Sequence, residues 1–172
     1  MKDNSVRLNF DLSDKTVKEY VQSLIDANLL FEVNKFSYSL KKQIRAEKKI
    51  YSIDTGMVNA IAFKFSENLG KLFENVFFLE LKRKKLEIYY YKTSNDLEID
   101  FVTKKHNEIE LFQICIDLHD HAKARELKAL VQGAQELGLS KGYLITKDVE
   151  DKLQIDGITI RLLPIYKYLL LN

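Results

Sequence analysis

Between residues 87 and 118 the chain reads as three strands in a row, and no other stretch limits the fold as strongly. Segments 87–93, 98–104 and 109–118 are rich in Ile, Tyr, Phe and Val, residues that suit a pleated, half-buried surface. Ser94-Asn95-Asp96 and Lys105-His106-Asn107 separate them. Such short polar breaks close hairpins, so the run predicts an antiparallel meander. The pattern then changes period. Residues 122–137 return to helix and stop at Gly138, in the position after a helix where left-handed backbone favours glycine. Two more strands are expected at 142–146 and 157–163, with a last short helix over 165–171 that Pro164 starts. A strand that follows a helical crossover normally lies parallel to its neighbour. The expectation is therefore an α/β fold with a mixed central sheet flanked by helices.

Upstream, residues 71–84 predict an amphipathic helix whose core candidates are Leu72, Phe73, Val76, Phe77 and Leu81. Residues 49–53 predict a short strand, Asp54 the cap of a helix from Met57 to residue 65, and Asn68-Leu69-Gly70 a loop. Ser13 or Asp14 is placed to cap a helix reaching Asn28, with Val17, Tyr20, Val21, Leu24 and Ile25 on one face. A strand at 29–33, the turn Ser37-Tyr38-Ser39 and a basic stretch follow. Helix, strand, turn and strand is the order of the second half of a winged helix, with Lys15 and Lys18 on the outer face of its helix. A boundary at 43–49 gives a partial winged-helix unit over 1–48 and an α/β domain over 49–172.

Composition narrows the function classes. The 172 residues suffice for one ordinary domain, or one with a small companion. A net charge of +2 does not announce a nucleic-acid partner, so that case rests on local clusters. One cysteine excludes an internal disulfide and a zinc site built from several thiolates, and His106, His119 and His121 lack metal-ligand spacing. No stretch approaches the roughly 18 apolar residues of a membrane span, and the N-terminus has no signal-peptide core. A reducing, cytoplasmic setting is expected. With no G-x-x-x-x-G-K-[ST], the chain has no Walker-type ATP site.

Alternation puts Glu98 and Asp100 on one face of a strand, and Gln113, Cys115 and Asp117 on one face of the next. Buried unpaired acids cost several kcal/mol, so water, a basic partner or a metal must satisfy this pair. Glu74, in Phe73-Glu74-Asn75-Val76-Phe77 of the preceding helix, is a third acid. Taken alone it reads as an ordinary solvated helical glutamate. Lys41, Lys42, Arg45, Lys48 and Lys49 form a basic cluster able to meet phosphates. Lys82-Arg83-Lys84-Lys85 is explained equally well by the pull of a helix C-terminus on cations. Tyr89-Tyr90-Tyr91 reads as strand packing rather than base stacking.

The acid skeleton resembles that of PD-(D/E)XK nucleases, in which an Asp is followed one hairpin later by Glu-x-Lys; here that slot reads Gln113-Ile114-Cys115. The resemblance implies a restriction-endonuclease-like sheet, with Mg2+ or Mn2+ held by Glu74 and Asp100. Gln113 would be a vestigial or weak ligand, and Lys123 or Arg125 would stand in for the missing lysine. More specifically, Ile50-Tyr51-Ser52-Ile53-Asp54-Thr55-Gly56, Gly70-Lys71-Leu72-Phe73-Glu74-Asn75, Glu80-Leu81, Tyr89-Tyr90-Tyr91-Lys92, Glu98-Ile99-Asp100-Phe101-Val102 and Arg125-Glu126-Leu127-Lys128-Ala129-Leu130 look like one module. It is similar to the C-terminal domain of unknown function behind the P-loop domain of archaeal and bacterial AAA-type ATPases. Thr16 to Ser37 resembles the winged-helix segment joining the two. What this implies is a DNA-associated role beside an ATPase domain that this chain lacks. Three functions are in view: a non-catalytic module binding DNA or a partner, a divalent-metal-dependent DNA endonuclease, and a dimerisation module using the apolar face of the first helix.

Overall fold

In the computed structural model, which describes residues 13–61, 69–116 and 118–170, the strands join into a single eight-stranded sheet. In chain order the elements are α1 (Asp14–Asp26), β1 (Leu30–Lys35), α2 (Leu40–Arg45), β2 (Lys49–Ser52), α3 (Thr55–Ile61), α4 (Leu69–Arg83) and β3 (Glu87–Lys92). Then come β4 (Glu98–Lys105), β5 (Glu108–Ile114), α5 (Asp120–Glu136), β6 (Lys141–Thr146), β7 (Asp151–Ile155), β8 (Ile158–Pro164) and α6 (Ile165–Leu170). The predicted end of the α3 helix, Asn68 and Asp117 lie outside the described residues. Among the described residues no helix is long and apolar enough to cross a membrane.

The sheet order is β2-β1-β3-β4-β5-β6-β8-β7. The meander forms as expected: β3 pairs antiparallel with β4, and β4 with β5. After the α5 crossover β6 lies parallel to β5, and β8 parallel to β6. The sheet is thus mixed and flanked by helices. The turns use residues that tolerate left-handed backbone: Asp96 (φ 59) and His106 (φ 56) in the meander, and Gly138 (φ 68) after α5. Ser13 caps α1, its Oγ accepting from the Thr16 amide at 3.2 Å.

Four features depart from expectation. A short helix, α2, spans Leu40–Arg45, where the sequence predicts a turn and a basic stretch. A strand, β7, pairs antiparallel with β8 through Asp156-Gly157, both at positive φ. An Asp-Gly pair between strands is a strong hairpin signal that the expected pattern passed over. Leu69 and Gly70 begin α4 rather than forming a loop. At the other edge β1 pairs parallel with β3 while holding β2 antiparallel, so the N-terminal hairpin extends the central sheet. The boundary expected at 43–49 therefore falls where β1 and β2, paired strands of that sheet, are joined.

Each sheet face has its own core. Ile99, Val102, Leu111, Leu130, Ala134, Leu144 and Ile160 pack beneath α5. Phe77, Phe78, Leu81, Phe101, Phe112, Ile145 and Ile165 pack beneath α4 and α6. Ile99 and Phe101 are two residues apart yet face opposite sides. The β3–β4 register shifts between Tyr89 and Tyr91, and such a bulge reverses the alternation and re-aims a side chain. Asp100 sits at that irregularity.

Candidate functional site

The acids converge because α4 and β2 are fastened together beside β4. Phe73, Phe77, Phe78 and Leu81 press α4 onto the sheet, which leaves Glu74 and Asn75 along its flank. Asn75 clamps the β2 backbone: its Oδ1 accepts from the Ser52 amide at 2.8 Å and its Nδ2 donates to the Ser52 carbonyl at 2.9 Å. With β2 so fixed, alternation sends Lys49 and Tyr51 to the same side. The Tyr51 ring stacks on Phe78 at 4.4 Å, and its hydroxyl donates to Glu74 Oε1 at 2.6 Å.

Lys49 occupies the centre. Its Nζ lies 3.2 Å from Glu74 Oε1, 2.8 Å from Glu98 Oε1 and 3.2 Å from Asp100 Oδ1. An ammonium has three N–H donors, and here three carboxylates surround them. The side chain of Asp100 is 12% exposed, against 20% for Lys49 and 40% for Glu98. Behind Asp100 the contacts continue into the sheet. Asp100 Oδ2 accepts from the Ile114 amide at 3.0 Å, and the Asp100 amide donates to Gln113 Oε1 at 3.0 Å. Gln113 Nε2 then donates to Glu126 Oε2 at 2.7 Å, and Arg125 Nε to Glu126 Oε1 at 3.0 Å.

Electrostatics follow from this packing. Burial, and next the charge of Glu74, push the Asp100 carboxyl up to about 7, although Lys49 and the Ile114 amide pull it down. Burial opposes the Lys49 charge, but Asp100, Glu74 and Glu98 outweigh it and raise that ammonium above the usual lysine value. Burial and then Glu74 raise the Tyr51 hydroxyl, so Tyr51 remains a donor. A cleft of about 430 Å³ opens over the cluster, lined by Glu74, Asp96, Glu98, Asp100 and Glu126 against Lys71 and Arg125. Acids outnumber bases there, and such a surface repels phosphates.

Glu74 and Asp100, separated by 26 residues of sequence, are brought together as expected, and Gln113 stands behind them. What joins them is Lys49, which the sequence places in a phosphate-binding basic cluster but the structure seats among the acids. Among the described residues, neither of the two residues expected to replace the missing lysine forms an ion pair with Glu74 or Asp100. Arg125 is held by Glu126, and Lys123 does not line the cleft. Cys115 is buried in the α5 core. The donor set does not suit a divalent ion, because an ammonium already bridges the carboxylates that would bind it. Among the described residues no group of three or more His, Cys, Asp or Glu side chains is arranged to hold one. The remaining predicted basic residues lie away from the acid cluster. Lys15 lies 3.8 Å from Glu19 on α1, Lys48 pairs with Glu32 at 2.6 Å, Lys18 is exposed, and Lys41, Lys42 and Arg45 project from α2.

A family model described as a domain of unknown function, DUF4143, matches residues 69–168, more than half of the chain. The chain belongs to the DUF4143 family. A second model, DUF8612, also a domain of unknown function, matches residues 1–68. An uncharacterized protein of Methanocaldococcus jannaschii is 34% identical over 170 residues, covering 93% of this chain and 37% of the relative. An uncharacterized protein of Haemophilus influenzae is 24% identical over 148 residues, covering 86% and 36%. This DUF4143 chain spans little more than a third of the length of the curated relatives it matches. The cluster straddles the two models: Glu74, Glu98, Asp100 and Gln113 belong to the DUF4143 match, whereas Lys49 and Tyr51 come from the segment before it.

Proposed function

We propose that this chain is a non-catalytic, nuclease-derived module that binds DNA and forms the rear part of a longer AAA-type ATPase. The observation that carries this reading is Lys49 Nζ seated among Glu74, Glu98 and Asp100. A nuclease of the PD-(D/E)XK type uses such acids to place a divalent ion against a phosphate. Here they neutralise a lysine from the preceding hairpin, and Gln113 and Cys115 stand where Glu and Lys would be. The acids survive in a structural role, stitching the N-terminal hairpin to the sheet. The order α1, β1, α2 and β2, with β1 and β2 paired antiparallel, supports reading this segment as a remnant winged helix with a short helix inserted between its strands, connecting this module to an ATPase domain. The greater length of the relatives supports the same arrangement.

Incubation of the purified chain with plasmid and branched DNA in Mg2+ or Mn2+, beside Asp100→Ala, tests the proposal. The expected result is no cleavage by either protein, together with salt-sensitive DNA binding. Cleavage abolished by Asp100→Ala would overturn it in favour of an active endonuclease.

A further inference from the structure

A second cavity, of about 660 Å³, lies on the other side of the β3–β4 turn from the acid cleft. Thr93 and Ser94 line this groove, while Asp96 and Leu97 line the acid cleft. The two pockets have opposite electrostatic character. Lys35, Lys42, Arg45 and Lys92 border the groove, and its lining includes one acid, Glu136. Among the described residues no carboxylate forms an ion pair with Lys35, Lys42 or Arg45; Lys92 has Asp96 at 3.8 Å, itself 85% exposed. Glu136 is turned to another task. It accepts from the Ser94 amide and hydroxyl at 3.0 and 2.7 Å, from Gln132 at 2.9 Å and from the Tyr91 hydroxyl at 2.8 Å. Burial works against that carboxylate, but these hydrogen bonds outweigh it and hold Glu136 down at about 2. Its lone pairs fasten the turn to α5, and the groove keeps an excess of positive charge.

An aromatic ring stands at the same place. Tyr38 is 81% exposed, and its ring meets the edge of the buried Phe36 at 5.4 Å, which in turn meets Tyr89 at 5.5 Å. An exposed ring braced from behind offers a flat face without the entropy of a long side chain. Basic residues that follow a backbone, beside an aromatic face open to a base, are what single-stranded nucleic acid requires.

We infer that the groove formed by Lys35, Lys42, Arg45 and Lys92 around Tyr38 binds single-stranded nucleic acid, with phosphates on the cations and a base stacked on Tyr38. This rests on the nucleic-acid-binding reading above and assigns it a surface, which the acid cleft cannot supply. Arg45 presents a planar fork suited to a phosphate, and the lysines act as point charges.

Fluorescence anisotropy of the whole chain with a labelled oligothymidylate of about 16 nucleotides tests the inference. Titrations would run over a salt series beginning at about 50 mM. Lys42→Gln with Arg45→Gln should weaken binding at least tenfold and flatten the dependence of log K on log salt by about 1.4, at about 0.7 per lost phosphate contact. Tyr38→Ala should weaken binding by about tenfold, but leave an abasic oligomer unaffected. Lys82→Gln with Lys85→Gln, in the competing basic cluster at the end of α4, should change nothing. A wild-type chain that binds while the Lys42/Arg45 pair variant binds equally well overturns the groove and leaves DNA binding standing elsewhere. Duplex bound as tightly as single strands, with no Tyr38→Ala effect, overturns the single-strand preference. A wild-type chain that binds no oligomer at the lowest salt overturns both the groove and the function on which it rests.

Discussion

Replacing Lys49 by methionine keeps an apolar stem of similar length and deletes the charge that three carboxylates share. At an effective dielectric near 20, each contact of about 3 Å is worth roughly 5 kcal/mol before costs are counted. Two facts reduce the net loss. Asp100 titrates near 7, so it carries only part of its charge at neutral pH, and Glu98 is 40% exposed, which screens its share. Desolvation of the ammonium is recovered when it is removed, and that offsets part of the remainder. The expected loss is about 3 kcal/mol, the low end for stripping one partner from a buried ion pair. That corresponds to a fall in Tm of roughly 6–12 °C for a domain of this size. Urea denaturation at about pH 8 and about pH 4 reads it with the sign worked out. Lys49 has a raised folded value, so its own contribution is complete below the usual lysine range and fades only as pH rises through that folded value. A change between the two conditions therefore reports on Asp100, which is pushed up to about 7. At the lower pH it is neutral and no longer repels its acidic neighbours, so the variant should recover part of its deficit. A variant within about 0.5 kcal/mol of the parent at the higher pH, or a deficit that grows on acidification, would refute the role given to Lys49.

Other outcomes follow from the same contacts. Asp100 holds its proton more tightly when folded, so its stabilising share is present below the ordinary carboxylate range and is lost as pH rises through about 7; Asp100→Asn should flatten the pH dependence of unfolding between about pH 4 and about pH 7. Glu136 behaves oppositely, since its stabilisation is present above the ordinary carboxylate range and is lost as pH falls toward about 2; Glu136→Gln should speed hydrogen exchange at the Ser94 amide. A Cβ on Gly133 would stand 2.1 Å from Ile99 Cδ1, so Gly133→Ala should destabilise by about 1–2 kcal/mol through overpacking. Ile99→Val, which deletes that methyl, should restore most of the loss in the double variant; simple additivity of the two changes would sink that explanation.

Much of the architecture is local and could be read from the chain. The meander announces itself through strand residues broken at Ser94-Asn95-Asp96 and Lys105-His106-Asn107, where the structure puts Asp96 and His106 at positive φ. Ser13 and Gly138 mark helix ends by the same kind of local chemistry. The acids of the candidate site were legible as well, because charged residues between aliphatic ones on a strand require an explanation. The partner that satisfies them was not. Lys49 sits in a basic run whose neighbours Lys41, Lys42 and Lys48 face outward, and nothing in that run marks one lysine as buried. Its placement depends on β1 pairing with β3 and on Asn75 clamping Ser52, both long-range contacts. The bulge that aims Asp100 is likewise invisible in a strict alternation, and β7, whose residues show weak strand character, is signalled only by the Asp156-Gly157 turn that joins it to β8.

Crystals of the chain grown with Mn2+ present, measured for anomalous scattering, examine the acid cluster itself. The expected map has no manganese peak between Glu74 and Asp100, and Lys49 Nζ remains within ion-pair distance of both. A manganese ion bound by those two carboxylates, with Lys49 displaced, would contradict the non-catalytic reading and return the cluster to metal chemistry.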